Sequence, residues 1–272
     1  MPGSVSFDRV ADRYDATRGY PSEVAAQIAA GLIAAGDLAP GASLLEVGIG
    51  TGRIALPLLA AGINVTGVDI SARMVERLRA KYAEQRERLP ALPWGALRVE
   101  MADVTALPFA DAAFDAVLGV HVLHLIPEWR AALDEALRVL RPGGVFLLGQ
   151  DMTNGGERHL LNDRWEAIVR ELGGTTGAVG AAGYRAAVAE LRARGMHVDE
   201  RVLARWDEPV TPREGLANIT ERLWSRTWQV PDDIFAESVR RLTTWADETF
   251  GDTLDTPVLI PLHFTVAVAR RA

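Results

Sequence analysis

The feature that most constrains this chain is the segment SLLEVGIGTGRIALPLLAAGINVTGVD, residues 43–69. An apolar run, "LLEV", opens onto glycines at alternate positions, Gly48, Gly50 and Gly52, and a second run, "NVTGVD", closes on Asp69. Glycines straight after a buried strand let the backbone turn tightly and let a ligand approach with no Cβ atoms in the way. The spacing predicts a helix from about Gly52, whose first N–H groups and positive dipole end face whatever the loop holds. Pro57 lies inside that helix and predicts either a kink or a displaced first turn. Asp69, one strand later, can accept hydrogen bonds from the vicinal hydroxyls of a ribose. Together these features predict an adenosine-type ligand.

Two cofactor classes compete for such a loop. A dinucleotide fingerprint has the form G-x-G-x-x-G, and here Arg53 stands where its third glycine belongs. Glu46 lies two residues before the first glycine. A pyrophosphate is repelled by a carboxylate so placed, whereas a cofactor bearing a sulfonium and an ammonium tolerates or uses it. The residues therefore point to S-adenosylmethionine.

The rest of the chain reads as alternating strands and helices. Ser22 is expected to cap a helix running to about Gly36, and Ser71 a long helix with Met74, Val75, Leu78 and Tyr82 at helical spacing. "LRVEMAD", "FDAVLGV" and "VFLLGQ" read as further strands, with a helix over 128–140 and a turn at "RPGG". This alternation predicts a parallel sheet covered on both faces, doubly wound under the right-handed crossover rule. Ligands of such sheets sit at the carboxyl ends of the strands. The glycine loop, Asp69, Asp103 and the segment after Val120 should therefore line one crevice. Further on, helices are expected around 158–172, 181–194, 211–226 and 231–249, with strands at "HVDERVLARW" and "TPVLIPLHFTVAVARR". The last two helices read as an insertion between the final strands, at about 208–252. Four tryptophans fall in this region, at 206, 224, 228 and 245. They predict either the small core of the insertion or the wall of an apolar pocket.

"LLEVGIGTGRI" resembles the first motif of class I S-adenosylmethionine-dependent methyltransferases, and "VTGVDISARMV" their second-strand motif. "MADVTALPFADAAFDAVLGVHVLHLIPEWRAALDEALRVLRPGGVFLL" resembles the rest of that core in order and spacing. "FDRVADRYDATRGYP" resembles the N-terminal segment of many small-molecule members, the ubiquinone/menaquinone-biosynthesis type among them. The resemblance covers residues from about 7 to 150 and is only architectural beyond. It implies an α/β, Rossmann-like, doubly wound, mostly parallel seven-stranded sheet with an antiparallel last strand. One methyltransferase domain is expected over 1–272: an N-terminal lid and helix over 1–36, the cofactor core over 37–150, and substrate-side helices and closing strands over 151–272. The implied activity is methyl transfer to a small-molecule acceptor by in-line displacement.

Residue roles follow from the resemblance. Glu46 orders the loop and reaches the methionine ammonium, while Gly48, Gly50 and Gly52 form the floor. Asp69 holds the ribose and Ile70 packs on the adenine, with Met74 beside it or simply in the core. Asp103 takes the adenine amine, with Val104 adjacent; its plainer alternative is a turn cap. His121 offers a carbonyl to the cofactor and its imidazole to the substrate, as a base if the nucleophile carries a proton. His124, three residues on, would share a helical face with it. Tyr14 and Arg18 belong to the lid: Tyr14 touches the methionine portion and is a candidate catalytic residue, and Arg18 pairs with the carboxylate of the cofactor or with an anionic substrate, a surface helix with ordinary charges being the plainer alternative. Tyr20, His124 and Trp165 are candidate substrate contacts, Trp165 having packing as its plainer role. Arg53 either reaches the cofactor carboxylate or folds back on Glu46.

Composition narrows the classes further. The 272 residues contain no cysteine, which removes disulfides, thiol nucleophiles and cysteine-held metals. No convergent third ligand joins the two histidines, and no metal is expected. A net charge of −7, with arginines scattered among glutamates, argues against nucleic acid as partner. No apolar run is long enough to span a bilayer, and the N-terminus does not read as a signal peptide, so a cytoplasmic protein is expected. Oligomeric state and the methyl acceptor are not written in the sequence. Two other classes stay open: a protein that binds S-adenosylmethionine without turnover, and an NAD-dependent oxidoreductase.

Overall fold

The structure is a computed structural model that describes residues 4–153 and 157–271. After a 3-10 turn at Asp8–Val10, the chain forms α1 (Ala11–Arg18) and α2 (Ser22–Gly36), then β1 (Ser43–Val47), α3 (Ala55–Ala60), β2 (Asn64–Asp69) and α4 (Ala72–Arg88). β3 (Leu97–Met101), β4 (Phe114–Val120), α5 (Trp129–Val139) and β5 (Leu140–Thr153) follow. The remainder is α6 (Glu157–Glu171), α7 (Tyr184–Ala193), β6 (Met196–Val210), α8 (Pro212–Thr220), α9 (Asp232–Phe250) and β7 (Val258–Arg271). The seven strands lie in the order β3-β2-β1-β4-β5-β7-β6, mostly parallel, with β7 antiparallel.

The register aligns the ends that matter. Val47 stands opposite Val68 on one side and Gly119 on the other, Asp69 opposite Met101, and Val120 opposite Gly149. The residues just beyond these pairs therefore share one edge of the sheet. Chain order reverses between β1 and β4, the switch point where such sheets bind ligands. β1 and β4 are buried along nearly their whole length, as expected of parallel strands covered on both faces.

Several boundaries differ from expectation. α3 begins at Ala55, not near Gly52, because residues 51–54 complete a turn first. Pro57 then occupies the third position of the helix, where a missing N–H costs nothing. Pro21, not Ser22, precedes α2 as its cap residue. Ser71 does cap α4, its hydroxyl accepting from Met74 N at 3.2 Å. "RPGG" is a bulge within β5: Leu140 pairs with Phe114, and Val145 already with Ala116. The helix expected over 211–226 stops at Thr220 and is followed by a 3-10 turn, Ser225–Thr227.

The chain divides into two compact units, Met1–Asp151 with Val179–Ala204 and Phe264–Ala272, and Met152–Ala178 with Arg205–His263. The first has a core built on Leu45, Val47, Val68, Val117, Leu133 and Phe146. The second is largely helical: α6, α8 and α9 enclose Leu161, Trp165, Ile168, Leu216, Ile219 and Leu242. α8 and α9 fall between β6 and β7 in the chain. Trp245 borders this helical core, and Trp206 packs against a small cluster of Val210, Ile260 and Leu262. No helix among the described residues is long and apolar enough to cross a membrane.

Candidate active site

Gly48, Gly50 and Gly52 all lie in the left-handed region, at φ +71°, +55° and +80°. The space allows nothing larger at two of them. A Cβ on Gly48 would stand 2.6 Å from Val122 Cγ2, and one on Gly52 2.3 Å from Leu78 Cδ1. Asp69 fixes the loop directly: Oδ2 accepts from Gly50 N and Oδ1 from Ser71 N, both at 2.8 Å. Burial raises its pKa against the pull of these amides. A carboxylate oxygen has room for a second donor, so these bonds leave Asp69 capacity for ribose hydroxyls. Ile70, next in the chain, is half-buried.

Glu46, on β1, is 3% exposed, and its Oε2 has no hydrogen-bond partner among the described residues. Burial pushes its pKa up to about 8, against a lowering by Arg53 and with a further rise from Asp69. A buried carboxyl oxygen lacking a donor is costly, and a cationic ammonium from a ligand would relieve it. The donor set thus fits the cofactor inferred from sequence.

The N-terminal segment lies against α4 and the loop. Ser71 Oγ donates to Asp8 Oδ1 at 2.5 Å, which chiefly accounts for the lowered pKa of Asp8. Arg73 and Arg77 pair with Asp12, and Lys81 with Asp15 at 2.9 Å. Tyr14 meets Phe7 edge to face at 5.7 Å, and the Arg18 guanidinium stands 5.5 Å from the Tyr14 ring centre.

Arg53 forms its ion pair with Asp151. Its Nη1 donates to Arg18 O at 3.0 Å and to Asp151 Oδ2 at 3.2 Å, and its guanidinium covers Tyr20 at 4.5 Å. Asp151, at the end of β5, is the hub of this cluster. Tyr20 Oη donates to its Oδ1 at 2.6 Å, and His121 Nε2 lies 3.1 Å from its Oδ2. Burial raises the Asp151 pKa, but Arg53 and His121 outweigh it and hold the carboxyl well below its usual range. Burial is also the main reason the Tyr20 hydroxyl is held far above its ordinary value. Burial works against the Arg53 charge, and Tyr20 and Asp151 more than restore it.

Sequence reasoning missed Asp151, although "VFLLGQD" ends on an acid just as "NVTGVD" does. His121 directly follows β4 and precedes Val122, whose side chain packs against Gly48. His121 is not helical, however: its φ is +50°, and it shares no helical face with His124, which lies in the 3-10 turn Leu123–Leu125. Asp103 is exposed and forms the turn that was its plainer role, Oδ1 accepting from Thr105 N at 2.9 Å and Oγ1 at 2.8 Å. Val104 is buried. Met74 is also buried, its Cε 3.5 Å from where a Cβ on Gly50 would be. Trp165 is wholly buried in the helical unit, its indole N–H on Ser238 Oγ at 3.0 Å. It packs there, and packing is its role. No cluster of metal-ligating side chains occurs among the described residues.

Comparison with known proteins agrees with this geometry. Residues 45–148 match the family described as methyltransferase domain. A demethylmenaquinone methyltransferase of Clavibacter sepedonicus is 39% identical over 158 residues, 54% of this chain and 58% of that protein. A 27-O-demethylrifamycin SV methyltransferase of Amycolatopsis mediterranei is 38% identical over 115 residues, 41% of this chain and 39% of that protein. The chain thus spans about two fifths to three fifths of the length of these curated relatives. The crystal structure of YcgJ from Bacillus subtilis superposes with a TM-score of 0.56 at 19% identity, covering 90% of this chain and 98% of that one. This likeness shows the fold. Residues 45–148, which hold Glu46, the glycine loop and Asp69, thus match a methyltransferase domain, and the comparisons support its being of the class I S-adenosylmethionine-dependent type.

Proposed function

We propose that this protein transfers a methyl group from S-adenosylmethionine to a small-molecule acceptor in the cytoplasm. The observation that carries the reading is Glu46: a buried carboxyl oxygen without a donor, under a glycine loop whose geometry Asp69 fixes. S-adenosylmethionine, when bound, supplies a methyl group already activated by its sulfonium. The protein's share is to bind, orient and exclude water. Glu46 would hold the ammonium, Asp69 the ribose, and the loop amides the remainder of the cofactor. Asp103 and Ile70 would bound the adenine. The N-terminal lid, through Tyr14 and Arg18, would close the site over the methionine portion. Arg53, already paired with Asp151, acts from within the wall. His124 and Tyr20 would border the acceptor. Holding two reactants in position supplies roughly 7–11 kcal/mol of a barrier, so no elaborate acid–base machinery is required. The net charge of −7 favours a small molecule over nucleic acid as acceptor.

Calorimetric titration with S-adenosylmethionine, S-adenosylhomocysteine and NAD tests the proposal. Micromolar binding of the two sulfur compounds, lost in Asp69→Ala with the fold retained, is the expected result, followed by turnover in an acceptor screen. Binding of NAD alone would overturn it in favour of hydride transfer. Binding of the sulfur compounds with no turnover across a broad screen would leave a cofactor-binding protein without catalysis.

A further inference from the structure

His121 is held by a single residue that makes two opposite demands on it. Its Nε2 lies 3.0 Å from the backbone nitrogen of Asp151, whose N–H points at it, and 3.1 Å from Asp151 Oδ2. The amide is a donor and needs a bare Nε2, whereas the carboxylate is an acceptor and needs Nε2–H. The carboxylate already has donors, Tyr20 Oη on Oδ1 at 2.6 Å and Arg53 Nη1 on Oδ2 at 3.2 Å. The demand of the amide therefore prevails in the neutral ring. An imidazole with a bare Nε2 carries its hydrogen on Nδ1.

Nδ1 is the atom left over. It has no hydrogen-bond partner among the described residues, it is not sealed from solvent, and the side chain is 28% exposed. The residue sits at the switch point: a Cβ on Gly48 would strike Val122, its neighbour in the chain. His121 also keeps its backbone at φ +50°, a region where non-glycine residues are uncommon and where strain marks functional positions.

We propose that His121 is a hydrogen-bond donor through Nδ1–H, with its tautomer set by the main-chain N–H of Asp151, and that it takes an oxygen lone pair on the methyl acceptor. The ligand half of this rests on the methyl-transfer reading; the tautomer half does not. A base role at Nδ1 would require Nε2–H, which would face the Asp151 N–H hydrogen to hydrogen and leave that amide without its acceptor. Protonation of the ring does not change what it offers. The imidazolium would turn Nε2–H to Oδ2 and still present Nδ1–H. Asp151 is thus a positioning residue, with its carboxylate held in turn by Arg53 and by Tyr20, just beyond α1. The acceptor class that suits a fixed donor is one whose nucleophile needs no proton taken by His121: a carboxylate, or an ionised phenol or enol.

Long-range proton–nitrogen correlation spectra of histidine-labelled protein, loaded with S-adenosylhomocysteine, test the tautomer. His121, assigned from His121→Asn, should show a protonated Nδ1 and a bare Nε2 in its neutral form. Asp151→Asn, which keeps the amide, should preserve this pattern. A protonated Nε2 in the wild type would overturn the proposal. The acceptor class is tested by release of S-adenosylhomocysteine from a panel of carboxylates, phenols and amines. Turnover of the oxygen acceptors is expected. Asn, whose side-chain N–H stands in for Nδ1–H, should keep KM within about fivefold of wild type, and Ala should raise it about tenfold or more with a smaller change in kcat. Turnover of amines alone, or an equal loss of kcat in both variants, would overturn it. Failure of the sulfur compounds to bind at all would sink the methyl-transfer reading instead, with the tautomer read on the unliganded protein.

Discussion

Thr51 Oγ1 donates to Asp15 Oδ1 at 2.5 Å, and Lys81 Nζ reaches the same oxygen at 2.9 Å. One carboxylate on α1 therefore joins the N-terminal segment, the glycine loop and α4. The packing of the segment and the order of the loop are therefore coupled at this point.

Asp15→Asn should loosen the N-terminal segment without unfolding the sheet. The pair is partly exposed, so its loss is expected to cost about 0.5–1.5 kcal/mol. Cleavage within the first 20 residues by a non-specific protease should accelerate, and S-adenosylhomocysteine should bind several-fold more weakly. Thr51→Val should give the same result, and the double variant little more than either alone.

Gly52→Ala and Gly143→Ala separate two costs that are often confused. Both glycines have φ near +80°, but an added Cβ at 52 would lie 2.3 Å from Leu78 Cδ1, while at 143 nothing lies within 4 Å. Gly143→Ala should cost about 1–2 kcal/mol, the strain of the left-handed backbone. Gly52→Ala should add about 1–3 kcal/mol for overpacking, and chemical denaturation read by circular dichroism should resolve the difference.

Glu46 makes stability fall as pH rises. Its pKa is raised to about 8 from 4.5 by burial. The folded state therefore holds a proton that the unfolded state gives up. That contribution is fully present below about pH 4.5 and is lost progressively up to about pH 8, on the order of 5 kcal/mol across the window. Denaturation midpoints across this range should show the slope, and Glu46→Gln should flatten it. Binding of S-adenosylmethionine at pH 7 should release a proton, because its ammonium favours the carboxylate; calorimetry in buffers of different ionisation enthalpy would detect it.

Arg53→Met should leave Asp151 charged beside a hydroxyl and an imidazole. The two side chains are 12% and 21% exposed, so the expected cost is about 2–4 kcal/mol, toward the lower end for a fully buried pair. Adding Asp151→Asn should recover part of it. A thermal melt of the two single variants and the double variant gives the coupling.

The sheet was legible because its signals are local: buried runs end at residues that break them, and α4 carries its own cap at Ser71. Glu46, the three glycines and Asp69 were legible for the same reason, since all five lie within one strand–loop–strand unit. The cluster at Asp151 was not. Tyr20, Arg53, His121 and Asp151 meet only because register brings four distant strand and helix ends to one edge, and no spacing in the chain records that. Arg53 shows the limit well. Its position in the glycine motif announced an anomaly, but its partner lies 98 residues away. Trp165 takes the plainer of its two expected roles: an aromatic residue in an expected substrate region says nothing about which way it faces, and this one is wholly buried.

β7 is the last strand in sequence, yet it lies between β5 and β6 in the sheet. During synthesis, β6 has no neighbour to pair with until residues beyond 258 have been made. Through that interval the outer edge of β5 is an unpaired strand, open to any other extended chain. Such edges nucleate association between nascent molecules. The order of emergence therefore makes this protein most vulnerable in the interval before β7 is made, when the strands that form the glycine loop have already met.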